Sequence, residues 1–137
     1  MAKQRKDRIP PSAQPYRSLV LRAIKSEVDQ KAGQLIEEVL KPKHVKRPPK
    51  GSHANYIVAI TTKWHGDNCY FIATYRCPAP NAIASSFEAK FARMTYVGNG
   101  LFNLSFMRHT GKWVELYDDL SVDKCLEAIR DDPFFLP

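Results

Sequence analysis

Between residues 55 and 117 apolar and polar side chains alternate with a period of two, and turn-forming residues interrupt the alternation at short intervals. A period of two sends successive side chains to opposite faces of an extended chain. A stretch patterned this way is suited to half-buried strands and poorly suited to helix. The interruptions divide it into five expected strands at 55–64, 69–77, 87–97, 101–107 and 113–117. His65-Gly66-Asp67-Asn68 has hairpin chemistry, and Gly98-Asn99-Gly100 and His109-Thr110-Gly111-Lys112 are further tight turns. Only 78–85 (PAPNAIAS) is a longer loop. Short connections between consecutive strands imply antiparallel neighbours, and therefore a meander.

Helical patterns flank this region. Over residues 16–40, Leu21, Ile24, Val28, Leu35 and Val39 fall on one stripe, Pro15 suits a first turn, and Pro42 is expected to end the helix. Gly33 weakens the middle by about 1 kcal/mol relative to Ala. At the other end Ser121 reads as an N-cap for a helix whose apolar stripe is Val122, Cys125, Leu126 and Ile129. Pro133 stops it, and Phe134-Phe135-Leu136 is expected to dock on the body. The expected fold is α+β: an N-terminal helix, a five-stranded antiparallel meander and a C-terminal helix on one face of the sheet.

With 137 residues, 44% hydrophobic and 26% charged, the chain suits one core and is too apolar for disorder throughout. Residues 1–15 hold three prolines, four basic residues and little apolar content, which predicts a disordered basic arm; residues 16–137 form the single domain. No run approaches the roughly 18 apolar residues of a membrane span, and no apolar signal segment follows the charged start. Cys69, Cys77 and Cys125 lack Cys-x-x-Cys spacing, and Cys69 and Cys77 on one strand would stand about 26 Å apart, beyond disulfide reach. Free thiols without an export signal point to the reducing cytoplasm.

The net charge of +7 is unevenly spread. Lys3, Arg5, Lys6 and Arg8 crowd the start, and Lys41, Lys43, Lys46, Arg47 and Lys50 occupy a proline-rich linker at 41–52 that holds no acid and should be extended. From Trp113 onward seven acids face only Lys124 and Arg130. Flexible cations of this kind release counterions from phosphates without reading bases. Arg5, Lys6, Lys43, Lys46, Arg47 and Lys50 are therefore candidate phosphate contacts.

On the strands, Phe87/Ala89/Phe91 and Phe102/Leu104/Phe106 read as core positions, which leaves their alternates on the solvent side. The corresponding solvent-side sets are Lys63, Tyr70, Thr74 and Arg76 on the first two strands and Trp113, Glu115 and Tyr117 on the last. A face bearing Tyr70, Arg76, Lys90, Trp113 and Tyr117 could stack bases and hold phosphates. The plainer reading is a wet sheet face with a few aromatics, which strands favour anyway.

Catalytic patterns are weak. Asp67 with Glu88-x-Lys90 echoes metal-dependent nucleases, where two carboxylates hold Mg²⁺. In a meander those acids fall at opposite ends of a hairpin, on the order of 20–30 Å apart. His44, His53, His65 and His109 lack metal-ligand spacing, and a Cys77–His109 nucleophile pair has no local signature. No cofactor motif is present and no catalytic residue is assigned.

Tyr96, Phe102-Asn103-Leu104-Ser105-Phe106-Met107-Arg108, Lys112-Trp113, Tyr117 and Asp132-Pro133 before Phe134 resemble a bacterial family of small proteins known only as a domain of unknown function, number 3024. Arg76-Cys77-Pro78 loosely matches that family's Arg-Pro step after the second strand. The resemblance spans 16–137 in element order and is clearest in the last third. Phe102 and Phe106 stand where the family tends to have Trp, Cys77 is inserted in the Arg-Pro step, and the basic arm and linker are extra. The resemblance implies the element order and supplies no site.

The expectation is thus a non-catalytic module associating with nucleic acid through its basic linker and arm. The first rival is a protein-interaction module that docks an acidic protein partner or a second copy of itself. A nuclease-like enzyme comes third.

Overall fold

The computed structural model describes residues 20–137; the expected arm at 1–15 lies outside them. A helical segment leads into five strands, β1 (Tyr56–His65), β2 (Asn68–Arg76), β3 (Ser86–Gly98), β4 (Leu101–Met107) and β5 (Trp113–Leu120). Helix α3 (Val122–Asp131) and a 3₁₀ turn, Pro133–Phe135, complete the chain. The strands pair in the order β1-β2-β3-β4-β5, all antiparallel, so the meander is confirmed.

The hairpin between β1 and β2 is tighter than expected, because His65 and Asn68 already pair and only Gly66-Asp67 turn. Gly66 takes φ 61, as the first central position of a II′ turn demands. Asp67 is buried, and its carboxylate accepts the Val20 backbone N–H at 3.2 Å, tying the start of the described chain to this hairpin.

The core lies between one sheet face and the helices. Phe71, Met94, Phe102 and Leu104 come from the sheet, Val28 from α1 (Arg22–Leu35), and Val122, Cys125, Leu126 and Ile129 from α3. The stripe expected for α3 is therefore the buried one. Its expected cap is also in place, with Ser121 Oγ accepting the Lys124 N–H at 3.2 Å. Of the C-terminal tail only Phe135 docks fully (1% exposed), edge-on to Phe106.

The first helical segment departs from expectation. Leu21 is 66% exposed, and the buried positions are Val28, Ala32, Ile36 and Leu40. Helix also continues past Pro42: a π turn over Ile36–Leu40 is followed by α2, Lys41–His44. Proline inside a helix lacks the N–H and drives its ring at the carbonyl four residues back, here that of Glu38. In the wider turn the Lys41 N–H donates to the Ile36 carbonyl, five residues back, so Pro42 falls in the first turn of the next helical piece, where proline is tolerated. The linker expected to be extended over 41–52 is thus helical through His44, and residues 45–55, up to the start of β1, run free of helix and strand.

Candidate nucleic-acid interface

The helices cover one face of the sheet and leave the other open. A bulge between Phe71/Ile72 and its β3 partners decides what the open face carries. Before it, Glu88 and Lys90 share the open face with Thr74 and Ile72. After it, Arg93 pairs with Tyr70 and Thr95 with Asn68, so Arg93 joins the same face. Continued through Ser105 on β4 and Glu115 on β5, the register forms one cross-strand row: Tyr70, Arg93, Ser105, Glu115.

Trp113 lies two residues along β5 from Glu115 and pairs with Met107. Tyr70 and Trp113 sit on strands with two others between them, roughly 14 Å apart at about 4.8 Å per strand. Their ring centroids nevertheless stand 5.7 Å apart, tilted at 46°. The two side chains meet above Arg93 and Ser105, and Ser105 is 1% exposed. Two cations flank the ring pair: Lys90 Nζ lies 4.8 Å from the Tyr70 centroid, and the Arg93 guanidinium carbon 5.0 Å from that of Trp113. Arg93 Nη2 donates to Ser105 Oγ at a long 3.4 Å, while its Nε is buried and finds no acceptor. Beside Tyr70 a cleft of about 390 Å³ is lined by Lys63, His65, Ile72, Glu88 and Lys90.

Arg76 pairs with Tyr56 and Ser86 at the end of the sheet, six residues or about 20 Å along β2 from Tyr70, and takes no part in this cluster. Tyr117 is on the other face. Ser105 pairs with Glu115 and Leu104 with Tyr117, so a bulge at Leu116 reverses the alternation of β5. The Tyr117 hydroxyl donates to Asp132 Oδ2 at 2.6 Å on the helix side, which holds its pKa above the usual phenol value.

The basic segment keeps most of its charge unpaired. Lys41 pairs with Glu37 one helical turn earlier. Among the described residues Lys43, Lys46, Arg47 and Lys50 have no carboxylate within 4.0 Å. The acidic helix is engaged elsewhere: Asp123 takes Lys31 of α1 at 2.8 Å, and Arg130 forks onto Asp131 at 2.8 and 2.7 Å. Burial, aided by the charges of Lys43 and Lys46, holds His44 below its ordinary pKa, so this imidazole adds no positive charge at neutral pH. Lys46, Arg47, Pro48 and Pro49 line a shallow pocket against Tyr56 and Tyr75, next to Arg76's end of the sheet. Arg5 and Lys6 lie outside the described residues.

The residues of the nuclease-like pattern stand apart. Asp67 is committed to Val20 at one end of β2, and Glu88 pairs with Thr74 near the other, so the acids of the nuclease-like pattern are about 20 Å apart along the strand. Cys69 and Cys125 are buried thiols whose pKa burial pushes up to about 12, the opposite of an activated nucleophile.

Arg93 is the residue that sequence reasoning missed. Counting by two from Phe87, Ala89 and Phe91 places it inward, and only the bulge turns it outward. A signal was present: Ala92, Met94 and Tyr96 form an apolar alternation out of step with Phe87 and Phe91.

No curated protein and no solved structure matches this chain. A family model does match, over residues 21–137, a span that includes the basic segment and both helical regions as well as the last third. This chain belongs to the family described as Domain of unknown function (DUF3024).

Proposed function

We propose that this protein binds single-stranded nucleic acid without reading base sequence. Bases stack on the Tyr70–Trp113 pair, Lys63, Lys90 and Arg93 hold phosphates beside it, and Lys43, Lys46, Arg47 and Lys50 add further phosphate contacts. The observation that carries this reading is the meeting of two aromatic rings from non-adjacent strands on the helix-free face, each with a cation within about 5 Å. Stacking platforms next to unpaired lysine and arginine are what single-strand binding requires, because every base has a π-face and every linkage a charge.

The experiment is anisotropy of a labelled oligothymidylate, titrated with nuclease-treated protein across a salt series. Binding should weaken steeply with salt, as counterion release demands. Trp113→Ala and Tyr70→Ala should each weaken it about 5- to 100-fold, as loss of one stacked base implies. Lys46→Glu/Arg47→Glu should flatten the salt dependence. If affinity is the same at low and physiological salt, or if the aromatic variants bind as the parent does, the reading fails.

A further inference from the structure

A second cavity lies on the helix side. A groove of about 660 Å³ runs between α3 and β5 and is closed at one end by the 3₁₀ turn. Tyr117, Leu120, Ala128, Pro133 and Phe134 supply its apolar surface. Phe134, although it touches Phe106 at 4.8 Å, is 55% exposed, and the neighbouring Leu136 is 56% exposed. Of the three acids at the rim, Glu127 pairs with Lys124 at 3.3 Å and Asp131 with Arg130, so the negative charge that the rim keeps is that of Asp132. The charge of Asp132 is not neutralised, since its hydrogen bonds come from the Tyr117 hydroxyl and the Phe134 N–H, both neutral.

An aromatic and proline-walled groove with an acidic rim matches one kind of occupant: an extended, proline-containing segment flanked by lysine and arginine. Proline segments dock on aromatic surfaces at low entropic cost because their backbone is already fixed. This chain presents such a segment. Val45-Lys46-Arg47-Pro48-Pro49-Lys50 follows α2, carries no helix or strand pairing, and holds three cations with no carboxylate partner among the described residues. Val45 packs on the core and the residues after it lie along Tyr56 and Tyr75, so the segment is anchored to its own body and presented outward.

The two surfaces adjoin. Asp131 is held below the usual carboxylate range chiefly by its hydrogen bonds from Arg130, and the charge of Lys43 adds to that effect. A basic strip beside an acidic groove on one side of a molecule is self-complementary: a half-turn sets each strip over the other copy's groove, making the same contact twice.

We propose that two copies of this chain pair about a two-fold axis, each laying Lys46–Lys50 into the groove that the other forms between α3, β5 and Pro133–Phe135. This interface is independent of the open sheet face.

The test is sedimentation of the nuclease-treated full chain at about 50 mM and about 500 mM salt, where screening of exposed charges differs strongly. A dimer at low salt that dissociates at high salt is expected. Lys46→Glu/Arg47→Glu and Glu127→Lys/Asp131→Lys should each weaken self-association at least about tenfold. An equimolar mixture of the two variants should recover the dimer, because each reversed strip then faces a reversed groove. A monomer at low salt, a dimer indifferent to either reversal, or a mixture of folded variants that stays monomeric overturns the proposal. Should a variant fail to fold, a labelled peptide of residues 41–52 added to the parent provides the second measurement. It should bind, compete with dimer formation, and lose affinity for Phe134→Ser. Absence of binding, or binding of a 1–15 peptide in its place, equally overturns the pairing. Lys46, Arg47 and Lys50 also serve as phosphate contacts in the proposed function, so the oligonucleotide affinity of Trp113→Ala, which reports on the sheet face alone, is the measurement that separates failure of that reading from failure of the pairing.

Discussion

Replacing Arg93 by methionine separates a functional arginine from a structural one, because the two roles predict changes of opposite sign. Arg93 lies under Trp113 with its Nε buried and unbonded, and a buried donor left without an acceptor costs about 1–3 kcal/mol. Methionine of similar length removes that penalty. It also removes the approach to Trp113 at 5.0 Å, worth about 0.5–1 kcal/mol at a part-exposed site, and a hydrogen bond to Ser105 that at 3.4 Å is close to the limit of being one. The balance is a net stabilisation of about 1 kcal/mol, or roughly 3–5 °C in melting temperature for a domain of this size. Binding moves the other way. Loss of a charged hydrogen-bonding partner should weaken oligonucleotide affinity at least about tenfold and lower the salt slope by about 0.7, one phosphate contact on a single strand. Urea unfolding and anisotropy on the same preparation measure both. An Arg93→Met protein that loses more than about 1 kcal/mol of stability while binding as before would refute the reasoning, since Arg93 would then be holding the sheet together and nothing else.

The other predictions concern the core and its chemistry. Unfolded thiols ionise near 9 whereas Cys69 and Cys125 hold their protons to about 12, so above pH 9 the unfolded chain sheds protons that the fold retains. Stability should therefore fall as pH climbs from 9 towards 12, by about 1.4 kcal/mol per unit per thiol; a urea midpoint that stays flat between about pH 8.5 and pH 10.5 contradicts this. The same burial predicts that Cys77, half-exposed, reacts with an aromatic disulfide reagent in the native state while Cys69 and Cys125 react only on unfolding, as thiol counting over time would show. Phe135→Ala should cost about 3–5 kcal/mol by denaturant titration, against roughly 1 kcal/mol or less for its exposed neighbour in Phe134→Ser. Ser121→Ala, which removes the side-chain cap of α3, should cost about 1 kcal/mol and show as lost helical ellipticity before global melting.

Much of the fold was legible because two simple periods describe most of it. β4 runs over Leu101–Met107 as its alternation and flanking turns indicate, and α3 buries the four residues its helical spacing selects. Legibility ended where a period changed within an element. The bulge at Phe91 sends Arg93 outward, that at Leu116 sends Tyr117 inward, and the π turn before Pro42 brings Leu40 into the core while Leu21 stays in solvent. One extra residue in a strand reverses every side chain after it, and composition carries no trace of the insertion. The candidate site divides along the same line. Tyr70, Lys90 and Trp113 share a face as their parity requires, but their convergence depends on side chains reaching across two intervening strands, which no local pattern records. Arg76 shares the parity and not the place.

Both outer strands of the meander are irregular. Register slips between Ile57 and Ala59 on β1, and twice on β5, where Asp119 adopts φ 54 and its N–H is taken by the Asn103 amide oxygen. The two slips on β5 interrupt the ladder of donors and acceptors it could offer a neighbouring molecule, whereas β1 is interrupted only near its start and keeps register from Ala59 to His65, so edge-to-edge addition is hindered chiefly along β5. Association along the β5 flank is therefore left to side chains, where single substitutions can weaken or restore it.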